Sequence, residues 1–408
     1  MKAVVFTLGC KVNRFESDYI AQELTKKGYE VSDTLSYADI YIINTCAVTA
    51  EAERKSRQAI ARCKKYNENG RIFIIGCASQ KNAREFEKDN VVYIGGTGAK
   101  YAVLNHLEQR DRLVSTNDLS ADFEAGALFT PSRTRSFIKI QDGCNNFCSY
   151  CVIPYLRGRS RSATIETIVK EAETLSEKTP EIVLTGINTM AYGMERGERL
   201  SDLIRALSHI DARIRLSSFY AEGITTELMD ALYSLKKFCP HYHLSLQSGD
   251  EKVLKDMNRR YTPDIYREKI ALVRSYDKDA SITTDVIVGY PTEDESAFRN
   301  TFDFCKEASF SDLHIFPFSP REGTVAYRIK KLPSDVVARR EAELFLLKKE
   351  LKDSFLKSSL GKSQEVLVEE KEGEYYVGYS RNYIKTYVST SEQIVNITPS
   401  ELYKDGVK

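Results

Sequence analysis

The stretch Gly143-Cys144-Asn145-Asn146-Phe147-Cys148-Ser149-Tyr150-Cys151 puts three thiols at C-x3-C-x2-C spacing on one short loop. A four-iron cluster kept for electron transfer normally takes four cysteines, so three would leave one iron open to a substrate or cofactor. Two other readings exist, a zinc site and a disulfide. Structural zinc wants four nitrogen or sulfur ligands, commonly from paired C-x2-C knuckles, and this loop has no fourth Cys or His nearby in sequence. Nine cysteines in a 408-residue chain that opens on a strand pattern rather than a secretory signal weigh against a disulfide framework. They point to metal or redox use in a reducing compartment.

Moving outward, the loop follows the first of six strand patterns: 137–141, 181–184, 213–217, 243–246, 281–288 and 312–318. Helical patterns alternate with them, and six βα steps predict a partial or full barrel with its active edge at the C-terminal strand ends. The cluster loop, Thr185-Gly186-Ile187-Asn188, Gln247-Ser248-Gly249 and Gly289-Tyr290-Pro291 all fall at that edge. Each Gly-bearing end is explained about as well by an ordinary βα turn; their common edge favours a small-ligand pocket.

Upstream, the first 125 residues or so show the βαβ alternation of an open parallel sheet. Cys10, Cys46 and Cys77 each lie just past a predicted strand, over 3–8, 40–44 and 71–76. Strand ends of a parallel sheet share one edge, where ligand crevices form, so these thiols suggest a second three-thiol metal site. Each taken alone reads equally as a small buried hydrophobe. Cys63, Cys239 and Cys305 read as structural.

An aperiodic segment, 117–135, with Ala-Gly-Ala and Pro131, marks a boundary. The expected organisation is α/β over 1–125, a (β/α)6 barrel domain over 130–360 ending in an amphipathic helix closed by Gly361, and a small all-β barrel over 361–408. In that tail Tyr379, Arg381, Asn382, Tyr383 and Lys385 form an aromatic and basic mixture suited to RNA, whereas Tyr375 and Tyr376 read as barrel packing. Net charge is only +1, so a nucleic-acid partner needs local basic patches. No apolar run approaches the about 20 residues that span a bilayer, and a cytoplasmic protein is expected.

With Tyr150 before its last Cys, the C-x3-C-x2-C loop resembles the cluster loop of radical S-adenosylmethionine (SAM) enzymes. The whole chain is similar to the methylthiotransferases. Thr7-Leu-Gly-Cys10-Lys-Val-Asn13-Arg-Phe-Glu-Ser17, Asn44-Thr-Cys46-Ala-Val-Thr49 and Lys55-Ser-Arg57-Gln58 look like that family's N-terminal cluster domain. Residues 148–161 (Cys-Ser-Tyr-Cys-Val-Ile-Pro-Tyr-Leu-Arg-Gly-Arg-Ser-Arg), His243-Leu-Ser-Leu-Gln247-Ser-Gly249 and Met257-Asn-Arg259-Arg-Tyr261 look like its radical SAM domain, and the segment with Gly378-Tyr-Ser-Arg-Asn-Tyr383 like its RNA-binding TRAM barrel. Two departures stand out. Ser245 replaces the usual Pro after His-Leu, and Phe219-Tyr220-Ala221-Glu222 replaces an expected Glu-Pro.

The resemblance implies two 4Fe-4S clusters, on Cys10, Cys46 and Cys77 and on Cys144, Cys148 and Cys151. Asn188, Gln247, Ser248 and Arg259 would lie near SAM, with no catalytic side chain beyond the cluster ligands. It implies that one SAM methylates sulfur carried by the first cluster. A second SAM, cleaved at the other cluster, yields the radical that activates carbon 2 of an adenine. That C–H bond offers little to acid–base or nucleophilic catalysis. The motif forms point to N6-threonylcarbamoyladenosine beside the anticodon of tRNA, with Arg157, Arg159 and Arg161 as backbone contacts and a flavodoxin or ferredoxin as electron donor. The alternatives are methylthiolation of isopentenyladenosine, another two-cluster radical SAM reaction, an iron-sulfur electron carrier, or a non-catalytic RNA-binding scaffold.

Overall fold

The computed structural model describes residues 1–98, 100–116, 119, 121–124, 126–128 and 134–408. Parts of the expected linker, Pro131 among them, lie outside the described residues. The chain divides into two compact units. One comprises Met1–Lys178, Thr185–Glu198 and Ser319–Arg328; the other Thr179–Leu184, Arg199–Phe318 and Ile329–Lys408.

In the first unit, strands β1 (Lys2–Thr7), β2 (Glu30–Ser32), β3 (Ile40–Thr45), β4 (Arg71–Gly76), β5 (Val91–Gly95) and β6 (Leu113–Ser115) form a parallel sheet ordered β2-β1-β3-β4-β5-β6. Unbroken apolar runs such as Ile40-Tyr-Ile-Ile43 and Ile72-Phe-Ile-Ile75 are what a strand covered on both faces requires. Tyr41, Ile43, Ile72 and Ile74 pack on one face with Ala59, Ile60 and Cys63 of the helix Ala50–Tyr66. Ile40, Ile42, Phe73 and Ile75 pack on the other with Ile20 and Leu24 of the helix Lys11–Lys26. Each of those six strand-core isoleucines and both aromatics is at most 1% exposed, so either face is dry.

Consecutive helices therefore cover opposite faces, and the strand order reverses between β1 and β3. The crevice beyond the carboxyl ends of two such strands is where open α/β sheets bind ligands. Cys10 follows β1 there, Cys46 follows β3 and Cys77 follows β4. The same unit carries β7 (Arg135–Lys139), β8 (Gln141–Asp142) and β9 (Arg161–Ser162); β8 and β9 pair antiparallel and close the base of the loop that bears Cys144, Cys148 and Cys151.

In the second unit residues 181–184 of β10 (Glu181–Thr185) pair in parallel with β11 (Arg213–Leu216), and β12 (His241–His243), β13 (Ser281–Val288) and β14 (Asp312–Pro317) form a parallel three-stranded set. Bridges Ile214↔Phe238 and Phe219↔Leu244 run between the two sets. These strands lie where the periodicity places them, except the fourth. Expected over 243–246, it is regular only over His241–His243. Beyond it the Leu246 N–H donates to the Thr284 hydroxyl at 2.9 Å rather than to a strand carbonyl, and Gln247 turns to φ +67°, which interrupts the ladder.

The tail is a six-stranded sheet of β15 (Gln364–Glu372), β16 (Tyr375–Ser380), β17 (Lys385–Val388), β18 (Ile394–Ile397), β19 (Leu402–Tyr403) and β20 (Gly406–Val407), ordered β18-β15-β16-β17-β20-β19. The tail's periodicity predicts three strands, over 365–370, 374–379 and 383–388; the further three are two to four residues long and carry little periodicity.

The structure gives the tail's aromatic and basic group partners within the second unit. Arg381 donates to the Phe238 carbonyl from Nε at 2.9 Å, and Asn382 donates to the Asp279 carbonyl at 2.9 Å. Tyr383 stacks on His241 with ring centroids 4.7 Å apart and on Tyr379 at 4.8 Å, with the Arg215 guanidinium 4.8 Å from its centroid. Lys385 is held by Asp405 at 2.9 Å and Glu372 at 3.3 Å. Arg381, Asn382 and Tyr383 tie the tail to residues 238, 279 and 241 of its own unit, Lys385 braces the tail internally, and Tyr383 stays 39% exposed.

Candidate active site

Local hydrogen bonding explains why the three strand ends converge. Asn13, in the first turn after Cys10, donates from Nδ2 to the Leu8 carbonyl at 2.8 Å and the Thr45 carbonyl at 3.0 Å, which staples the loop after β1 to the end of β3. Asn44 returns the contact, donating to the Asn13 carbonyl at 2.9 Å and the Ser17 hydroxyl at 3.1 Å. The Thr45 hydroxyl donates to the Ile75 carbonyl at 2.8 Å and accepts the N–H groups of Ala78 and Ser79, which ties β3 to the short helix Cys77–Lys81. Gly76 sits at φ +111°, where a Cβ would lie 2.6 Å from the Thr45 carbonyl oxygen. The motifs Gly-Cys-Lys-Val-Asn and Asn-Thr-Cys thus pair each thiol with the amide or hydroxyl that sets its loop.

A Cβ on Gly9 would meet the Cys46 Sγ at 2.8 Å, so the loop bearing Cys10 touches the Cys46 side chain. Cys46 and Cys77 are buried and Cys10 is exposed. Burial pushes the Cys46 thiol up to about 12, and Cys77 and Cys10 add to that through like charge. Burial raises Cys10 too, with Cys77 adding to it and Arg157 opposing; although the residue reaches solvent, protein atoms crowd its sulfur. Three soft donors gathered at one sheet edge, one of them open to solvent, fit a thiolate-bound metal cluster, which displaces the thiol protons on binding.

The second thiol set shares this unit. The Cys144 N–H donates to the Gly158 carbonyl at 3.1 Å and the Cys151 N–H to the Cys148 carbonyl at 2.9 Å. Gly143 has φ +70° and a Cβ there would fall 2.0 Å from the Arg159 carbonyl oxygen, so only glycine lets the loop double back. Gln141 braces it, donating from Nε2 to the carbonyls of Asp142 and Gly143, both at 2.8 Å.

A buried ionic cluster also lies in this unit and was not anticipated from sequence. Arg157 donates to Glu16 at 3.1 Å, to Asp142 at 2.9 Å and to the Asn13 side-chain oxygen at 2.7 Å. Lys100 bonds Glu16, and also the side-chain oxygens of Asn13 at 3.2 Å and Asn44 at 3.3 Å. Lys139 makes no hydrogen bond among the described residues; its ammonium lies 3.8 Å from Glu16 and 3.7 Å from Asp142 and 4.9 Å from the Phe123 ring centroid. Arg161 completes the set at 3.5 Å from Asp142.

Burial opposes ionisation of Glu16, yet Arg157, then Lys100 and Lys139, outweigh it and hold the carboxyl at about 2. Asp142 is likewise held below the carboxylate range, by Arg157, Lys139 and Arg161 against burial. Four cations thus face two carboxylates, and Glu124 nearby is driven toward its neutral form by burial. The surplus of positive charge interacts with Cys10 and Cys77 through Arg157. Excess buried cation beside thiols is the electrostatics that thiolates and a negatively charged cluster require. The clue in the sequence was Lys139 inside an apolar strand and Glu16 inside the helix after Cys10.

This cluster also corrects the reading of the arginines. Arg157 and Arg161 are buried and committed to the network, whereas Arg159 is exposed and lies over the Phe147 ring at 4.7 Å.

The four residues expected near SAM behave differently. Asn188 accompanies the thiols in the first unit, 5% exposed, its N–H donating to the Gln141 side-chain oxygen at 2.7 Å, while its own Oδ1 has no hydrogen-bond partner among the described residues. An orphaned buried acceptor of this kind suits a ligand donor. Gln247, Ser248 and Arg259 belong to the second unit. The Gln247 backbone bonds β13 on both sides, to the Asp285 carbonyl at 2.8 Å and from the Ile287 N–H at 2.9 Å. Ser248 is fully buried, its hydroxyl 3.1 Å from that of Thr301 and accepting the Asp250 N–H, a turn-building role. Arg259 donates to the Ser245 carbonyl at 3.1 Å between the rings of Tyr220 and Tyr261. Ser245, where the related motif carries Pro, donates its N–H to the Phe219 carbonyl at 3.3 Å.

Residues 138–305 match the radical SAM superfamily and residues 2–95 match a family described as uncharacterized protein family UPF0004. The chain is 38% identical over 383 residues to the threonylcarbamoyladenosine tRNA methylthiotransferase MtaB of Aquifex aeolicus, covering 91% of this chain and 93% of that protein. It is 35% identical over 408 residues to the tRNA-2-methylthio-N(6)-dimethylallyladenosine synthase of Fervidobacterium nodosum, covering 97% and 94%. Among solved structures, the radical S-adenosylmethionine methyltransferase TsrM of Kitasatospora setae superposes with a TM-score of 0.56 at 13% identity over 77% of this chain and 72% of that one, a likeness of fold. The chain belongs to the radical SAM methylthiotransferase family.

Proposed function

We propose that the protein is a tRNA methylthiotransferase that converts N6-threonylcarbamoyladenosine at position 37 to its 2-methylthio derivative, in the cytoplasm, with a flavodoxin- or ferredoxin-type protein as electron donor. The observation that carries this reading is the pair of three-thiol sets held in one compact unit, the first of them beside a buried cationic cluster. When bound, clusters at Cys10, Cys46 and Cys77 and at Cys144, Cys148 and Cys151 supply sulfur for transfer and the electron that cleaves SAM.

The chain's own residues set up that chemistry. Asn13, Asn44 and Thr45 hold three strand ends in register, so that Cys46 and Cys77 close off the inner side while Cys10 stands at the solvent side. Gly143 and Gln141 shape the second loop, and Asn188, braced by Gln141, offers one acceptor toward a ligand. Arg157 bridges Glu16, on the helix after Cys10, to Asp142, two residues before Cys144. The segments 1–125, 130–360 and 361–408 serve as sulfur-cluster, radical SAM and tRNA-engaging parts in this reading.

A second reading, isopentenyladenosine as the base modified, is favoured by the 35% identity to the dimethylallyladenosine enzyme. Mass spectrometry of tRNA nucleosides from cells with and without the gene, complemented by wild type or Cys148→Ala, separates the two. Loss of 2-methylthio-threonylcarbamoyladenosine with accumulation of its precursor, rescued by wild type alone, supports the first reading. The same pattern in the isopentenyl nucleosides supports the second, and unchanged profiles for both overturn the assignment.

A further inference from the structure

A third candidate metal site lies in the second unit and contains no thiol. His243 on β12, Asp285 on β13 and His314 on β14 stand on adjacent parallel strands, where the register pairs His243 with Thr283 and Asp285 directly with His314. Thr283 and Asp285 are two residues apart and so face the same side of the sheet. The register therefore delivers both imidazoles and the carboxylate to one patch. His243 Nε2 lies 3.2 Å from one oxygen of Asp285 and His314 Nδ1 lies 3.3 Å from the other. All three donor atoms fall within 4.8 Å of one another.

We propose that His243 Nε2, the Asp285 carboxylate and His314 Nδ1 form a binding site for a divalent first-row transition metal, with open positions for oxygen ligands. Ligands about 2.1 Å from a tetrahedral ion stand about 3.4 Å apart, close to the two separations seen. Two imidazoles and a carboxylate favour borderline and harder divalent ions over the soft chemistry of thiolates, so the site would select differently from the six cysteines. The outer hydrogen bonding is that of a ligating histidine. His243 Nδ1 is 3.0 Å from the Thr283 hydroxyl, itself 3.3 Å from His241 Nε2, which fixes the ring and turns Nε2 toward Asp285. The two imidazoles stack with centroids 5.1 Å apart, which limits their rotation.

Access agrees with an open site. The side chains of His243, Asp285 and His314 are 15%, 24% and 47% exposed, so an ion can reach them and still hold water or a substrate oxygen. Three protein ligands with a position left open is the arrangement of catalytic rather than structural metal sites. The inference is independent of which adenosine the protein modifies, since it uses none of the thiol-bearing residues.

The alternative is a hydrogen-bonded His-Asp-His chain with no affinity for metal, and the two give opposite results. Cluster-loaded protein would be titrated with Mn2+ under anaerobic conditions, following the six-line electron paramagnetic resonance signal of the free ion. Manganese is chosen because it prefers nitrogen and oxygen to thiolate. Wild type should remove one equivalent of the free signal, and His314→Ala and Asp285→Asn should each weaken that uptake by on the order of tenfold or more, with iron content unchanged. His314 is half exposed, so its truncation leaves the fold intact and decides the matter even where Asp285→Asn fails to fold. Undiminished free Mn2+ with wild type, or equal uptake by His314→Ala, overturns the proposal.

Discussion

Replacing Arg157 with Gln probes the buried ionic cluster directly. The guanidinium donates to Glu16, Asp142 and the Asn13 side chain, and each of the three partners is buried. Removing one member of a buried ion pair strands its partners, which costs about 3–5 kcal/mol of unfolding free energy. Lys100 and Lys139 remain beside Glu16, so the lower half of that range is expected. A second signature lies in the pH dependence. The folded Glu16 carboxyl is held at about 2 against an ordinary 4.5. A depressed carboxyl contributes stability above its unfolded pKa and loses it as pH falls through the folded one, here roughly 3 kcal/mol between about pH 5 and about pH 2. Arg157→Gln should flatten that acid limb. The assay is urea unfolding of the apo-protein at pH 7 and along a series toward pH 3, for wild type, Arg157→Gln, Glu16→Gln and the double variant. The double variant should lose at least about 1.5 kcal/mol less than the sum of the singles. A loss under about 1 kcal/mol for Arg157→Gln, or additivity within about 0.5 kcal/mol, would refute the reasoning.

Further outcomes follow from other residues. Burial raises the Glu171 carboxyl to about 8, so the native state holds a proton that the unfolded chain releases near its ordinary value. The stability tied to that proton is full below the unfolded pKa and is lost as pH rises through about 8. Glu171→Gln should therefore gain melting temperature over wild type by a margin that widens from about pH 6 to about pH 9; a constant margin contradicts the assignment. Gly143→Ala, whose new Cβ would collide with the Arg159 carbonyl, should roughly halve the iron per chain after reconstitution, while Cys10, Cys46 and Cys77 still take up theirs. Arg381→Ala removes the hydrogen bonds to the Phe238 carbonyl and should open the sheet that begins at Gln364 to limited proteolysis before the rest of the chain.

The parallel sheet was legible because its strands are buried on both faces. Runs such as Ile40-Tyr-Ile-Ile43 have no polar break, and the turn residues after them are Gly-Cys or Asn-Thr-Cys. The local thiol loop could be read outright from spacing. The strand ends bearing Cys10, Cys46 and Cys77 were legible one at a time, but their adjacency depends on the order β1-β3-β4, which periodicity does not encode. The strand expected over 243–246 was displaced because Thr284 supplies a side-chain acceptor where the ladder should run. The tail was legible in composition but not in its contacts. Arg381, Asn382 and Tyr383 have the composition of an RNA surface, yet composition cannot tell whether their partners are nucleotides or the carbonyls of Phe238 and Asp279. The ionic cluster was missed because its members come from residues 16, 100, 139, 142, 157 and 161, and a lone buried charge shows itself in sequence only as an interruption.

The two thiol sets differ in how much chain must be finished before each exists. Cys144, Cys148 and Cys151 lie within eight residues of one another, so a peptide loop can gather them early. Cys10, Cys46 and Cys77 meet only once three parallel strands have been laid side by side and the loops between them closed, an entropic cost met late in folding. With clusters at both sets, as proposed, loading of the protein has a built-in order. Metal delivered during synthesis reaches the local loop first, and the strand-end site can be filled only in a sheet that has already condensed. Iron shortage during growth would then leave a folded population in which the two proposed sites are unequally loaded, the strand-end site lagging.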